Sequence, residues 1–158
     1  LIYHKVMEHI PFDAPGYETD QIHTYVMDMV EREIISQKEI QEINLSKVAH
    51  FFNSPIGKRA RKAEEVFREV SFNLMKELDG EEIIVQGTID CYFREGDRVI
   101  LIDYKSNYVI DETESINSLV ERYRPQMELY KEALEEIREV QVGEMYLFLF
   151  AIGKEIKL

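Results

Sequence analysis

Asp90, Asp103 and Lys105 lie in two runs that otherwise read as hydrophobic strands, Gly87-Thr88-Ile89-Asp90-Cys91-Tyr92-Phe93 and Val99-Ile100-Leu101-Ile102-Asp103-Tyr104-Lys105. A charge taken out of water is costly unless it is paired or holds a metal, so these three need a chemical reason. Glu95-Gly96-Asp97 between the runs is a turn signal, and two β-rich runs about such a turn form a hairpin. With the turn centred on Gly96, Asp90 is expected opposite Ile102, within a residue. A small offset or bulge then brings it beside Asp103. Opposed residues hold their Cβ atoms roughly 4.5–5.5 Å apart, a gap that one cation bridges through two carboxylates. Asp103 and Lys105 are two apart and share a strand face. Tyr104 points the other way, but its carbonyl lies between them as a further oxygen donor. Hard oxygen donors suit Mg2+ or Mn2+. The chemistry expected of this set is metal-assisted cleavage of a phosphodiester bond. The plainer reading is a strand salt bridge from Asp103 to Lys105 at a sheet end, and it leaves Asp90 unexplained.

Other positions carry weaker signals. Gln126 and Tyr130 are four apart on the expected helix after the hairpin, so they share a face. Gln hydrogen-bonds a base edge, a phosphate or a metal-bound water, and Tyr offers a hydroxyl or a stacking ring. The bland alternative is a solvated Gln126 and a Tyr130 packed on the sheet. His4 sits on the first helix, and nothing in the local letters separates it from His9, His23 or His50. Glu8 follows one turn later on the same face. Glu69 reads as an outward-facing strand residue. Lys58-Arg59-Ala60-Arg61-Lys62 is a basic cluster, a solvated helix face or a DNA contact.

The elements that must position these residues are legible in outline. Tyr3 to Ile10 is an expected short helix ended by Pro11, and Pro15-Gly16 marks a loop. A second helix starts at Thr19-Asp20-Gln21, with Ile22, Tyr25, Val26, Met29 and Val30 at helical spacing. Ser36 to Ile43 opens on a Ser36/Glu39 capping box. Leu45 to Phe52 follows, and Pro55 sits well in the first turn of another helix. Strands are expected over Val66 to Phe72, Glu82 to Phe93 and Arg98 to Tyr104, with Asp79-Gly80 joining the first two. Asp111 to Ser115 reads as a polar loop. Ile116 to Ile137 reads as one long helix or two, kinked or restarted at Pro125. Glu144 to Ile152 is a strongly apolar strand buried on both faces, with Glu155 to Leu158 as its edge partner. The order predicts an α/β fold, a central mixed sheet flanked by helices. One domain spans 1–158, with 1–65 mainly helical and 66–158 carrying the sheet core and its chemistry.

The chain has 158 residues, 45% of them hydrophobic, enough for a real core. There is no apolar run long enough to cross a membrane and no signal-peptide pattern at the start, so no membrane role is expected. Cys91 is the only cysteine, which excludes an intrachain disulfide, a four-cysteine zinc site and a four-cysteine iron–sulfur cluster. A cytoplasmic setting is expected. The chain opens at Leu1, within an expected helix and without a Met start, and reads as a fragment of a longer protein. Net charge is −12, from 19 Lys and Arg against 31 Asp and Glu. That balance disfavours a free-standing nucleic-acid binder, though a module fed by a partner domain needs little affinity of its own.

Taken together, Tyr3-His4-Lys5-Val6-Met7-Glu8-His9-Ile10-Pro11, Phe51-Phe52-Asn53-Ser54-Pro55-Ile56-Gly57, Gly87-Thr88-Ile89-Asp90, Ile102-Asp103-Tyr104-Lys105-Ser106 and Gln126-Met127-Glu128-Leu129-Tyr130 resemble the PD-(D/E)XK nuclease superfamily. The resemblance is to its RecB-like branch, and there to the C-terminal nuclease domains of AddA-type helicase–nuclease subunits. It implies a restriction-endonuclease-like core. It implies that His4, Asp90, Asp103 and the Tyr104 carbonyl bind Mg2+ or Mn2+, that Lys105 orients or deprotonates the attacking water, and that Gln126 and Tyr130 shape the site and contact DNA. Lys58, Arg59 and Arg61 are candidate DNA contacts. Some members carry a four-cysteine iron–sulfur cluster; a chain with Cys91 alone departs from them. The implied activity is hydrolysis of single-stranded DNA during double-strand-break end processing, in partnership with the rest of a helicase–nuclease chain and a second subunit. The alternative is a catalytically inactive DNA-binding or scaffolding module on the same fold.

Overall fold

Helix-start signals govern the first third of the chain. In the computed structural model, which describes the backbone of residues 2–106 and 112–158 and the side chains of 2–106 and 116–158, five helices come first. They are α1 (Ile2–His9), α2 (Thr19–Glu31), α3 (Gln37–Ile40), α4 (Leu45–Asn53) and α5 (Pro55–Lys62). The Ser36 hydroxyl accepts from the Glu39 N–H at 3.1 Å, and the Glu39 carboxylate accepts from the Ser36 N–H at 3.0 Å, the expected reciprocal cap. Ser54 caps α5 by accepting from the Gly57 N–H at 3.1 Å, with Pro55 in the first turn. Gly57 is needed for a different reason. A Cβ there would lie 1.8 Å from the Phe51 carbonyl oxygen, so only hydrogen fits where α5 turns back on α4.

The rest is β1 (Val66–Leu78), β2 (Glu81–Glu95), β3 (Arg98–Lys105), α6 (Glu112–Ile137), β4 (Gln141–Leu149) and β5 (Lys154–Lys157), with the strands in one sheet of order β1-β2-β3-β4-β5. β1 pairs antiparallel with β2, and β2 with β3. β3 and β4 are joined through α6, the type of crossover that parallel neighbours require. The expected mixed sheet with flanking helices and a helical N-terminal segment is therefore the fold.

Two local expectations change, and one left open is decided. β1 continues to Leu78 rather than ending at Phe72, because Asn73 to Leu78 pair rung by rung with Glu81 to Gln86. Asp79 and Gly80 both have positive φ (52° and 80°) and close a two-residue hairpin turn. α6 starts at Glu112, so residues 112–115 are helical rather than loop; Asp111 lies outside the described residues. Pro125 sits inside a single α6, where its ring removes one backbone hydrogen bond without ending the helix.

Two compact units divide the chain. One comprises Leu1–Ala63, Tyr104–Tyr108 and Phe148–Glu155, the other Glu64–Asp103, Val109–Leu147 and Ile156–Leu158. In the first, the buried Phe51 ring meets Tyr104 edge-on at 5.6 Å and Phe148 at 4.9 Å. The Phe150 N–H donates to the Lys105 carbonyl at 2.9 Å, fixing the end of β3. In the second, Ile89, Cys91, Phe93 and the run Val99 to Ile102 are buried with Met127, Ala133 and Leu134 of α6. Among the described residues, no helix is long and apolar enough to cross a membrane.

Candidate active site

The β2–β3 ladder pairs Cys91 with Ile102, Tyr92 with Leu101, and so on to Glu95 with Arg98. The turn is thus one half-step from a centre on Gly96, and the same register carried one step past Cys91/Ile102 would set Asp90 opposite Asp103. No bulge is needed. Directly opposed residues present their side chains to the same face. Asp90 is 8% exposed and Asp103 is 3% exposed, and among the described residues they are the charged side chains in the core. Two buried like charges on adjacent strands are unfavourable without a compensating positive charge.

β1 adds a third carboxylate to this line. Arg68 pairs with Cys91 and Val70 with Ile89, which leaves Glu69 and Asp90 between two paired rungs. Glu69 has φ 50°, a left-handed backbone in mid-strand that is uncommon for a residue with a side chain and concentrates at functional positions. The same registers, carried through the rungs between, would put Glu69, Asp90 and Asp103 in one row across β1, β2 and β3, and the charges of all three act on the Tyr130 hydroxyl. The letters carry no warning of Glu69, since a lone Glu in a strand reads as solvent-facing. A positive φ at a non-glycine residue is visible only in three dimensions.

Tyr130, on α6, joins this group. It is 7% exposed and packs edge-on to Phe72 at 5.7 Å. A Cβ on Gly87 would sit 2.8 Å from the Phe72 ring and 3.4 Å from the Tyr130 ring, so the glycine before Thr88-Ile89-Asp90 makes room for that pair. Burial, then the negative charges of Asp103, Asp90 and Glu69, push the Tyr130 hydroxyl up from 10.0 to about 12. At neutral pH it is a neutral donor in a carboxylate-rich setting. Gln126 lies one turn earlier on α6 and is half-buried.

The raised value has a consequence for stability. Between the unfolded and folded values, from pH 10 to about 12, the folded state holds a proton that the unfolded state has lost. The contribution is therefore complete below pH 10 and declines as pH rises through that window, by at most about 1.4 kcal/mol per pH unit. Denaturant midpoints of the chelator-treated protein are expected to fall more steeply above pH 10 in the wild type than in Tyr130→Phe. Parallel curves would remove the buried-hydroxyl assignment.

In the other unit, His4 of α1 is half-buried and its ring stands edge-on to Tyr104 at 5.9 Å. Lys105 is half-buried at the end of β3. Of the basic cluster on α5, Lys58 is exposed, Arg59 is half-buried, and Arg61 lies over the Tyr17 ring at 4.5 Å.

Among the described residues, no three His, Cys, Asp and Glu side chains converge closely enough to enclose an ion by themselves. The donor set still fits a hard divalent cation. Mg2+ retains several waters and is held by one or two carboxylates. Asp90 and Asp103, both buried, are carboxylates of that kind.

Comparison with known proteins is consistent across the whole sequence. The family model described as PD-(D/E)XK nuclease superfamily matches residues 1–157. An ATP-dependent helicase/nuclease subunit from Clostridium acetobutylicum is 39% identical over 168 residues, covering 98% of this chain and 13% of that protein. The subunit of the same name from Alkaliphilus oremlandii is 39% identical over 167 residues, covering 99% and 14%. That from Thermoanaerobacter pseudethanolicus is 37% identical over 164 residues, covering 97% and 13%. The chain thus spans 13–14% of the length of these curated relatives.

Proposed function

From the premise that this chain belongs to the PD-(D/E)XK nuclease superfamily, we propose that it is a divalent-metal-dependent nuclease domain that hydrolyses single-stranded DNA. It acts within a longer helicase–nuclease polypeptide, together with a second subunit, in processing double-strand breaks. The observation that supports the reading is that Asp90 and Asp103 are both buried, on the neighbouring strands β2 and β3. The relatives named above are helicase/nuclease subunits, which supports the motor-linked context. The 158 residues serve as one nuclease domain.

Each residue has a role in this reading. Asp90 and Asp103 would hold the cation, and the family resemblance would add the Tyr104 carbonyl and His4 to the protein's share of the ligands. The chemistry a bound ion would supply is neutralisation of charge on the phosphoryl oxygens and a lowered pKa of water. Lys105 shares a strand face with Asp103 and orients the attacking water or accepts its proton. Tyr130 keeps its proton at working pH and offers it as a hydrogen bond to the carboxylates or to a phosphate oxygen. Gln126 binds the strand from the same face of α6. An imidazole ligand is more at ease with Mn2+ than with Mg2+.

The net charge of −12 favours a second reading, a scaffold or binding module with little catalytic function. The two are separated by incubating the polypeptide with end-labelled single-stranded oligonucleotide and Mg2+ or Mn2+. Cleavage with both ions, faster with Mn2+ and stopped by a chelator, is expected. No cleavage at high protein concentration would support the scaffold.

A further inference from the structure

Residues 11–14 and α5 enclose a recess of about 420 Å3, lined by Phe12, Asp13, Ala14, Lys58, Arg61 and Lys62. Its walls are pinned. The Tyr17 hydroxyl donates to the Pro11 carbonyl and accepts from the Ala14 N–H at 3.0 Å. The Tyr17 ring stacks on Phe52 at 4.1 Å. Arg61 lies over that same ring at 4.5 Å and donates to the Phe52 carbonyl at 3.3 Å, so one guanidinium is fixed before any ligand arrives. Lys58 and Lys62 are one helical turn apart on the same face. Neither ammonium is in an ion pair among the described residues, in a chain with 31 acidic residues. Three cations thus line the recess with Asp13 as its one acidic wall residue. The helix dipole explains cations in the last turn of α5, but not Lys58 in its first half.

We propose that this recess is a phosphate-binding site that holds the backbone of a DNA strand, with Arg61 as the fixed anchor and Lys58 and Lys62 as two point charges beside it. The assignment rests on the nuclease reading for its ligand and moves the contact from Arg59, which does not line the recess, to Lys62. Phosphate contacts position a strand without reading its sequence, as a domain that cuts whatever strand it is fed requires.

The test uses the full-length polypeptide carrying these residues, a fluorescent oligothymidine, and chelator to prevent cutting. Each neutralised phosphate on a single strand contributes about 0.7 to the slope of log affinity against log salt. The Lys58→Ala/Lys62→Ala variant should therefore lose about 1.4 from that slope, equally on other sequences, with an unchanged melting temperature. An unchanged slope would overturn the site. Free phosphate shares the strand's chemistry, so the wild type is also treated with an amine-modifying reagent. Protection of Lys58 and Lys62 by oligonucleotide supports strand binding; protection by inorganic phosphate alone overturns it in favour of a free-anion site. A wild type that binds with the steeper slope but cleaves nothing would refute the nuclease reading and leave the recess standing.

Discussion

Asp90→Asn and Asp103→Asn are each expected to lower metal-dependent cleavage by about 10³-fold or more. Stabilising developing phosphoryl charge is worth several kcal/mol, and about 4 kcal/mol corresponds to that factor. Asparagine keeps the shape and one acceptor oxygen but removes the charge, so the β2–β3 ladder from Cys91/Ile102 onward is untouched. A second measurement keeps the result from being mistaken for misfolding. A ligand present at 100 times its dissociation constant stabilises the fold that binds it by about 2.7 kcal/mol, so Mn2+ should raise the melting temperature of the wild type and raise that of either variant far less. In chelator the order changes. Replacing one of two carboxylates in the core by a neutral amide relieves like-charge repulsion, so each variant should be at least as stable as the metal-free wild type. A variant that still cleaves at the wild-type rate, or gains the same stabilisation from Mn2+, would end the metal-site reading.

The residue types make the row of Asp90 and Asp103 legible because charge in an apolar strand is conspicuous, and because the Glu95-Gly96-Asp97 turn sets the pairing within one residue. The final half-step depends on which turn geometry forms, and single-residue register is what letters specify least. Gly87 is legible as part of a motif, but its task of admitting the Phe72 and Tyr130 rings is a contact between a strand and a helix far apart in the chain. Glu69 stays hidden for the same reason, since its left-handed backbone follows from the sheet and not from its neighbours in sequence. The basic cluster is legible in part. Helical spacing puts Lys58 and Lys62 on one face with either Arg59 or Arg61 beside them, so the choice of Arg61 for the recess, and its pinning by Tyr17, are visible only in three dimensions. The extension of β1 to Leu78 and the early start of α6 escape a reading of the letters because polar residues there satisfy either a loop or an exposed element, and pairing decides.

Lys105→Met separates holding the ion from using it. Methionine preserves much of the side chain's length and apolar stem while removing the ammonium. The backbone at this position is secured independently, through the Phe150 N–H donating to the Lys105 carbonyl at 2.9 Å, so the end of β3 should keep its place. If Lys105 handles the attacking water's proton, cleavage falls by about 10²–10⁴-fold, while the melting-temperature rise with Mn2+ remains, because Asp90 and Asp103 are intact. That pattern, loss of rate with retained ion binding, is the reverse of what a mere strand salt bridge predicts. A salt-bridge lysine would leave the rate per folded molecule unchanged and would lower stability in chelator, where Asp103 loses a compensating charge. Loss of both cleavage and Mn2+ stabilisation would instead make Lys105 part of the charge balance that lets two carboxylates occupy the core. Measuring both quantities on the one variant therefore decides among a proton-handling lysine, a structural one and an electrostatic one.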